Sequence, residues 1–191
     1  MYIHQFASSG VCEGEISCAV KTDYPRSGEV RIKTRGVTEL AVRVPSWCEK
    51  FTCNRLYRME NGYAIIEAPD TEVVFWFHMT PKAVRCDPRV VRNLGRICFM
   101  RGPIVYCAEA VDNGEDLHTV SVSAEAEIML VENKTFGLPS LKIPCRKRLT
   151  SETLYASGTP SFAEAELTLI PYHCFANRGE SEMLVWILEE T

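Results

Sequence analysis

Apolar and polar residues alternate with a period of two along most of this chain. Ile16, Cys18 and Val20 share one face of an extended segment, with Ser17, Ala19 and Lys21 on the other. Pro25, Ser27 and Gly28 supply a turn, after which Val30 and Ile32 alternate with Glu29, Arg31 and Lys33. Leu40, Val42 and Val44 repeat the scheme against Glu39, Ala41 and Arg43, and the run stops at Pro45. Successive strand side chains point to opposite faces, so the pattern predicts an antiparallel meander with one buried and one wet face. Phe51–Cys53 is a weaker strand, and Asn61-Gly62 is a turn from which Tyr63–Ile66 leaves as another. Glu72–Met79 (EVVFWFHM) is apolar on both faces apart from His78, which predicts a central strand covered on both sides or one at a domain contact. No segment sustains a helical period over three turns.

Thr80 to Pro88 reads as a boundary, because Pro81 and Pro88 interrupt regular structure and Lys82, Arg85 and Asp87 lie between them. Beyond it, the apolar run Ile97–Met100 leads into RGPIVYCAE, residues 101–109. Proline removes a ladder donor, so Gly102-Pro103 predicts two short strands joined by a bend or bulge. Asp112–Asp116 is a polar loop, Thr119–Val122 and Glu127–Val131 are strand candidates, and Phe136 to Pro160 reads as irregular, with a basic cluster at Arg146, Lys147 and Arg148. Phe162–Ile170 alternates again, placing Ala163, Ala165, Leu167 and Leu169 on one side, and Glu182–Leu188 is a strong apolar strand. The expected fold is all-β: two consecutive antiparallel β-sandwich domains, residues 1–82 and 83–191.

Composition narrows the function. The 191 residues are 46% hydrophobic and carry a net charge of −4, which supports a packed core and offers no broad positive field for nucleic acid or an anionic membrane. No apolar run is long enough to cross a bilayer. The stretch MYIHQFASSG has neither a basic n-region nor an apolar h-region, so a cytoplasmic location is expected. Nine cysteines without a CxxC pair fit reduced, buried thiols acting as small hydrophobes. Metal binding is the tempting alternative. His173 and Cys174 are adjacent, however, and on a strand they point to opposite faces; His4, His78 and His118 lie far from any paired cysteine.

Catalytic candidates are weak. Cys107 beside Tyr106 lacks a neighbouring base or positive field in the sequence. Glu109 with Asp112, and Glu180 with Glu182, are carboxylate pairs of the kind glycoside hydrolysis uses, but each sits beside a loop where solvation is the simpler reading. Trp47, Trp76 and Trp186 read chiefly as core, with Trp47 the one expected to be partly exposed and available to a glycan. Asn177-Arg178-Gly179 reads as a hairpin-like turn in which Arg178 either clamps a ligand carboxylate or, on the simpler reading, makes an interdomain salt bridge or is solvated. Trp47, Asn177 and Arg178 are therefore the candidate glycan or interdomain contacts.

Whole phrases then resemble a family. VRVPSWC (42–48), NGYAII (61–66), RGPIVYCAEAVDN (101–113) and LIPYHCFANRGESEMLVWI (169–187) occur in order and are similar to the C-terminal half of the β-L-arabinofuranosidases of glycoside hydrolase family 127. One departure is Ala68-Pro69-Asp70-Thr71, which stands where relatives carry a Trp and a Gly-Asp turn. The resemblance implies an N-terminal (α/α)6 barrel that carries the active site, with a catalytic cysteine in a Cys-Cys pair, a glutamate acid/base and a zinc held by cysteines and a glutamate. This chain has no Cys-Cys pair, so no catalytic residue and no cofactor site carries over. The expected role is a non-catalytic accessory region that braces the barrel, in the same chain or as a separate one. The alternative is a free-standing carbohydrate-binding module. An arabinose-containing glycan and a homodimer are the further partners expected.

Overall fold

In the computed structural model, which describes every residue except 70, 152, 156 and 191, the chain divides into two compact units, Met1–Thr80 and Pro81–Thr191. Asp70, part of the departure from the family pattern, lies outside the described residues. No helix among the described residues is long and apolar enough to cross a membrane.

The first unit is a sandwich of two sheets. Strands β1 (Tyr2–Ile3), β5 (Glu39–Arg43), β8 (Tyr63–Glu67) and β7 (Arg58–Glu60) form one sheet in that order. Strands β2 (Ser9–Glu13), β3 (Ile16–Thr22), β4 (Glu29–Arg35), β9 (Val73–Phe77) and β6 (Phe51–Cys53) form the other. Val20, Ile32 and Phe75 from the larger sheet meet Leu40, Val42 and Ile66 from the smaller, and these inward residues make the core.

Two expectations change here. The predicted meander holds for β3 and β4, which pair with Val20 opposite Ile32, but β5 leaves them and pairs with β8, Leu40 opposite Ile66. Gly36, at a φ of 66°, lies where the chain changes sheets; a Cβ there would sit 2.7 Å from the Glu15 carbonyl oxygen. Alternation reports which face is buried and says nothing about the partner strand. Nor is EVVFWFHM covered on both sides. Val73, Phe75 and Phe77 face the core, while Trp76 is 45% exposed, between Glu29 and Thr52 on the neighbouring strands.

In the second unit one sheet curls back on itself. Its strands are β10 (Pro81–Arg85), β11 (Arg96–Arg101), β12 (Ile104–Glu109), β13 (Val120–Val122), β14 (Met129–Val131), β15 (Ser140–Arg148), β16 (Phe162–Pro171), β17 (Met183–Leu184) and β18 (Ile187–Glu189). The order is β10-β11-β18-β13-β15-β16-β12-β17, with β14 on β15, and β12 also pairs with β11. That last pairing closes a ring around a core that includes Phe99, Tyr106, Ile143 and Leu169.

Several local readings are corrected. Pro81 opens a strand where a break was expected, and it is tolerated because β10 lies at the sheet edge. At Gly102-Pro103 the expected pair of short strands joined by a bend is found: the bend is a two-residue hairpin turn with Arg101 opposite Ile104, and Gly102 supplies the positive φ of 57°. The stretch read as irregular contains β15, whose Leu141, Ile143 and Cys145 are buried. Pro144 falls between the β14 pairing at 140–142 and the β13 pairing at 146–147, where the ladder asks no donor of it. Ala163 and Ala165 are exposed because β16 runs out past the core, which it enters only at Leu167. The apolar run 182–188 splits into β17 and β18, which join different neighbours.

Candidate functional site

Strands β16 and β17 flank β12 on opposite sides, so residues 172–182 must cross over β12 to connect them. The chain there is a crossover, not the predicted hairpin. Tyr106 and Ala108 point into the ring, while Cys107 and Glu109 alternate to the outer face beneath the crossover. Cys107 packs with Ile170 and Cys174 there, against Phe136, Phe175 and Met183.

Glu109 is only 1% exposed, and its carboxylate fastens the crossover to the sheet. Oε1 accepts the Ala176 N–H at 3.0 Å, where Ala176 turns with a φ of 63°. Oε2 accepts from Arg178 Nη2 at 2.5 Å. Arg178 also grips Asp112 through both carboxylate oxygens, Nη1 to Oδ1 at 2.7 Å and Nη2 to Oδ2 at 2.5 Å, and its guanidinium lies 5.3 Å from the centre of the Phe136 ring. Hydrogen bonding to Asp112 pushes the Arg178 pKa further up, and Glu109 adds to the effect. Asn177 donates to the Cys174 carbonyl at 3.1 Å and shapes the same turn. A short helix, α1 (Ala110–Asn113), places Asp112, and Asn113 ties it to β16 through the Thr168 N–H and carbonyl.

This arrangement corrects the reading of Glu109 and Asp112 as solvated carboxylates. Two carboxylates share one guanidinium, and Glu109 is sealed from substrate, so they cannot flank a scissile bond as acid and base. The Arg178 guanidinium, read as a ligand clamp or else as an interdomain salt bridge or solvated turn, pairs with two carboxylates of its own unit. Burial, with the Glu109 charge second, pushes the Cys107 thiol up to about 12, which keeps it protonated and a poor nucleophile. Among the described residues no group of three His, Cys, Asp or Glu side chains is placed to hold a metal ion. The sequence reading names Glu109 but misses its burial, although a signal existed: it stands two residues after Cys107, in phase with a buried face, where a carboxylate needs a cation.

Trp47 belongs to a different site, in the first unit. It is partly buried on the core, 6.4 Å from Phe77 at an edge-to-face angle of 70°, and 6.4 Å from Tyr24 with the rings inclined by 24°. The pair borders an open groove of about 390 Å³ also lined by His4, Gln5, Arg43 and Ser46. Burial pushes the Tyr24 phenol up; a hydrogen bond with Trp47 and the charge of Arg43 work the other way.

A family model, the glycoside hydrolase family 127 C-terminal domain, matches residues 81–188, more than half of the chain. The chain belongs to glycoside hydrolase family 127. A relative, the non-reducing end β-L-arabinofuranosidase of Bifidobacterium longum subsp. longum, is 29% identical over 210 residues, covering 96% of this chain and 32% of the relative. The crystal structure of a family 127 β-L-arabinofuranosidase from Geobacillus stearothermophilus T6 superposes with a TM-score of 0.89 at 27% identity, over 99% of this chain and 33% of that one. A further family 127 β-arabinofuranosidase structure gives a TM-score of 0.77 at 25% identity, over 92% of this chain and 32% of that one. The chain thus spans about a third of the length of these relatives.

Proposed function

We propose that this chain is a non-catalytic accessory region of a β-L-arabinofuranosidase-like glycoside hydrolase, and that it braces an (α/α)6 catalytic barrel lying in the same chain or in a separate one. The observation that carries this reading is the match to the C-terminal domain of family 127 together with the one-third coverage of its relatives. The chemistry of the second unit supports it. Glu109 and Asp112 are both paired with Arg178 within the chain, so these two carboxylates do not form an open acid–base pair. Zinc, in this reading, belongs to the barrel.

The test is a domain exchange. Replacing the matching third of the Bifidobacterium relative with this chain should give a soluble chimera that hydrolyses a chromogenic β-L-arabinofuranoside. The relative's remaining two-thirds alone should lose solubility or activity. This chain alone should show no turnover. A chimera that folds in both parts yet cannot stabilise the barrel would count against bracing, and turnover by this chain alone would count against the non-catalytic assignment.

A further inference from the structure

The groove beside Trp47 differs from the Arg178 cluster in one decisive respect. At Arg178 the guanidinium is committed to Asp112 and Glu109. In the groove, the side chains of Gln5, Arg43 and Ser46 make no hydrogen bond or ion pair with any described residue. His4 uses only Nδ1, which lies 2.8 Å from the Tyr63 hydroxyl, so its Nε2 stays available. Four polar groups free to bond outward therefore surround the Tyr24–Trp47 pair.

The aromatic side of the groove is fixed in place. Trp47 and Tyr24 rest on Phe6 and Phe77, with Phe6 5.4 Å from Tyr24 and 5.0 Å from Phe77. The aromatic surface continues past His4, which stacks on Tyr2 at 5.9 Å while Tyr63 meets it edge-on at 5.7 Å. A packed aromatic surface beside exposed donors and acceptors suits a ligand with an apolar C–H face and hydroxyls at its rim. Charge narrows the class. Among the described residues Arg43 is the one arginine or lysine lining the groove and no carboxylate lines it, so a phosphate or polyanion would find a single cation. The groove's volume of about 390 Å³ falls at the lower end of the range for small-ligand sites.

We propose that this groove is a saccharide-binding site, with the Tyr24–Trp47 pair meeting the sugar's C–H face and Gln5, Arg43, Ser46 and His4 Nε2 bonding its hydroxyls. The site is independent of bracing, since either property can fail without the other. Its test uses the whole 191-residue chain. It is titrated with a neutral pentose, L-arabinose, and a neutral hexose, D-glucose, and followed by calorimetry and by amide and indole NMR shifts. At least one sugar should bind with a dissociation constant on the order of 1 mM and shift the Trp47 indole signal. Arg43→Ala and Gln5→Ala should each weaken binding roughly three- to tenfold. Trp47→Ala should abolish it, and because Trp47 packs on Phe77, Trp47→Phe serves as the folded control that retains partial binding. No response to either sugar at about 100 mM, shifts away from the groove, or binding undiminished in the Arg43→Ala/Gln5→Ala double variant would each overturn the assignment.

Discussion

Arg178 Nη2 lies 2.5 Å from Glu109 Oε2, and this contact pins a crossover loop to the outer face of the second unit's sheet. The pair is asymmetric: Glu109 is 1% exposed, whereas the Arg178 side chain is 27% exposed. Losing the arginine therefore strands a buried anion, while losing the glutamate leaves a cation still paired with Asp112.

Arg178→Ala should destabilise the second unit by roughly 3 kcal/mol at neutral pH. Glu109→Gln should be the milder change. Urea melts at pH 7 check this, and an Arg178→Ala deficit no larger than that of Glu109→Gln would contradict the sealed carboxylate.

Burial raises the thiol of Cys107 from 9.0 to about 12 and that of Cys145 from 9.0 to about 11. The folded chain keeps protons that the unfolded chain releases near pH 9, so the stability linked to these thiols is fully present below that pH. It is lost as pH rises towards 11 for Cys145 and towards 12 for Cys107. The urea midpoint should fall between about pH 8 and pH 10.5, and the fall should shrink in a Cys107→Ala/Cys145→Ala variant. An unchanged slope would locate the alkaline sensitivity elsewhere.

Gly28 has no room for a methyl group. A Cβ there would run into the carbonyl oxygen of Phe77, whose N–H bonds to the Gly28 carbonyl at 2.9 Å. Gly28→Ala should cost about 3 kcal/mol and disturb the Phe77 support beneath Trp47. Thermal melts read the first effect and Trp fluorescence the second; a melt unchanged from wild type would mean the close approach can relax freely.

If zinc belongs to the barrel, this chain's melting temperature should be indifferent to metal. EDTA or added zinc should move it by less than about 2 °C, because only a ligand that prefers the folded state shifts stability. A larger, zinc-reversible shift would reveal a site within these residues.

Strand positions were legible where alternation was local. Val20 and Ile32 pair as their pattern says, because a hairpin places sequence neighbours side by side. Leu40 advertised its buried face equally well, yet its partner, Ile66, lies far along the chain, and no local pattern encodes that choice. β15 was hidden by Pro144 and by basic residues, although Leu141, Ile143 and Cys145 alternate within it. The candidate sites were harder. Glu109 reads as one carboxylate among many until a fold brings Arg178 over it. Trp76, judged core from its apolar neighbours, is exposed because side-chain direction on a strand follows parity and not company. Trp47 was expected to be partly exposed, and it is partly buried beside an open groove.

The ring in the second unit carries a consequence for synthesis. Its first strands cannot find all their neighbours early, because β11 is bonded along one edge by β18, with Ile97 opposite Ile187. While a ribosome is still making the residues before Ile187, the Arg96–Ile97 end of that β11 edge stays open and Ile97 lacks its partner. Completion waits on a strand of three residues, Ile187–Glu189, so a nascent chain stalled just short of them presents an unzipped edge to whatever else is nearby.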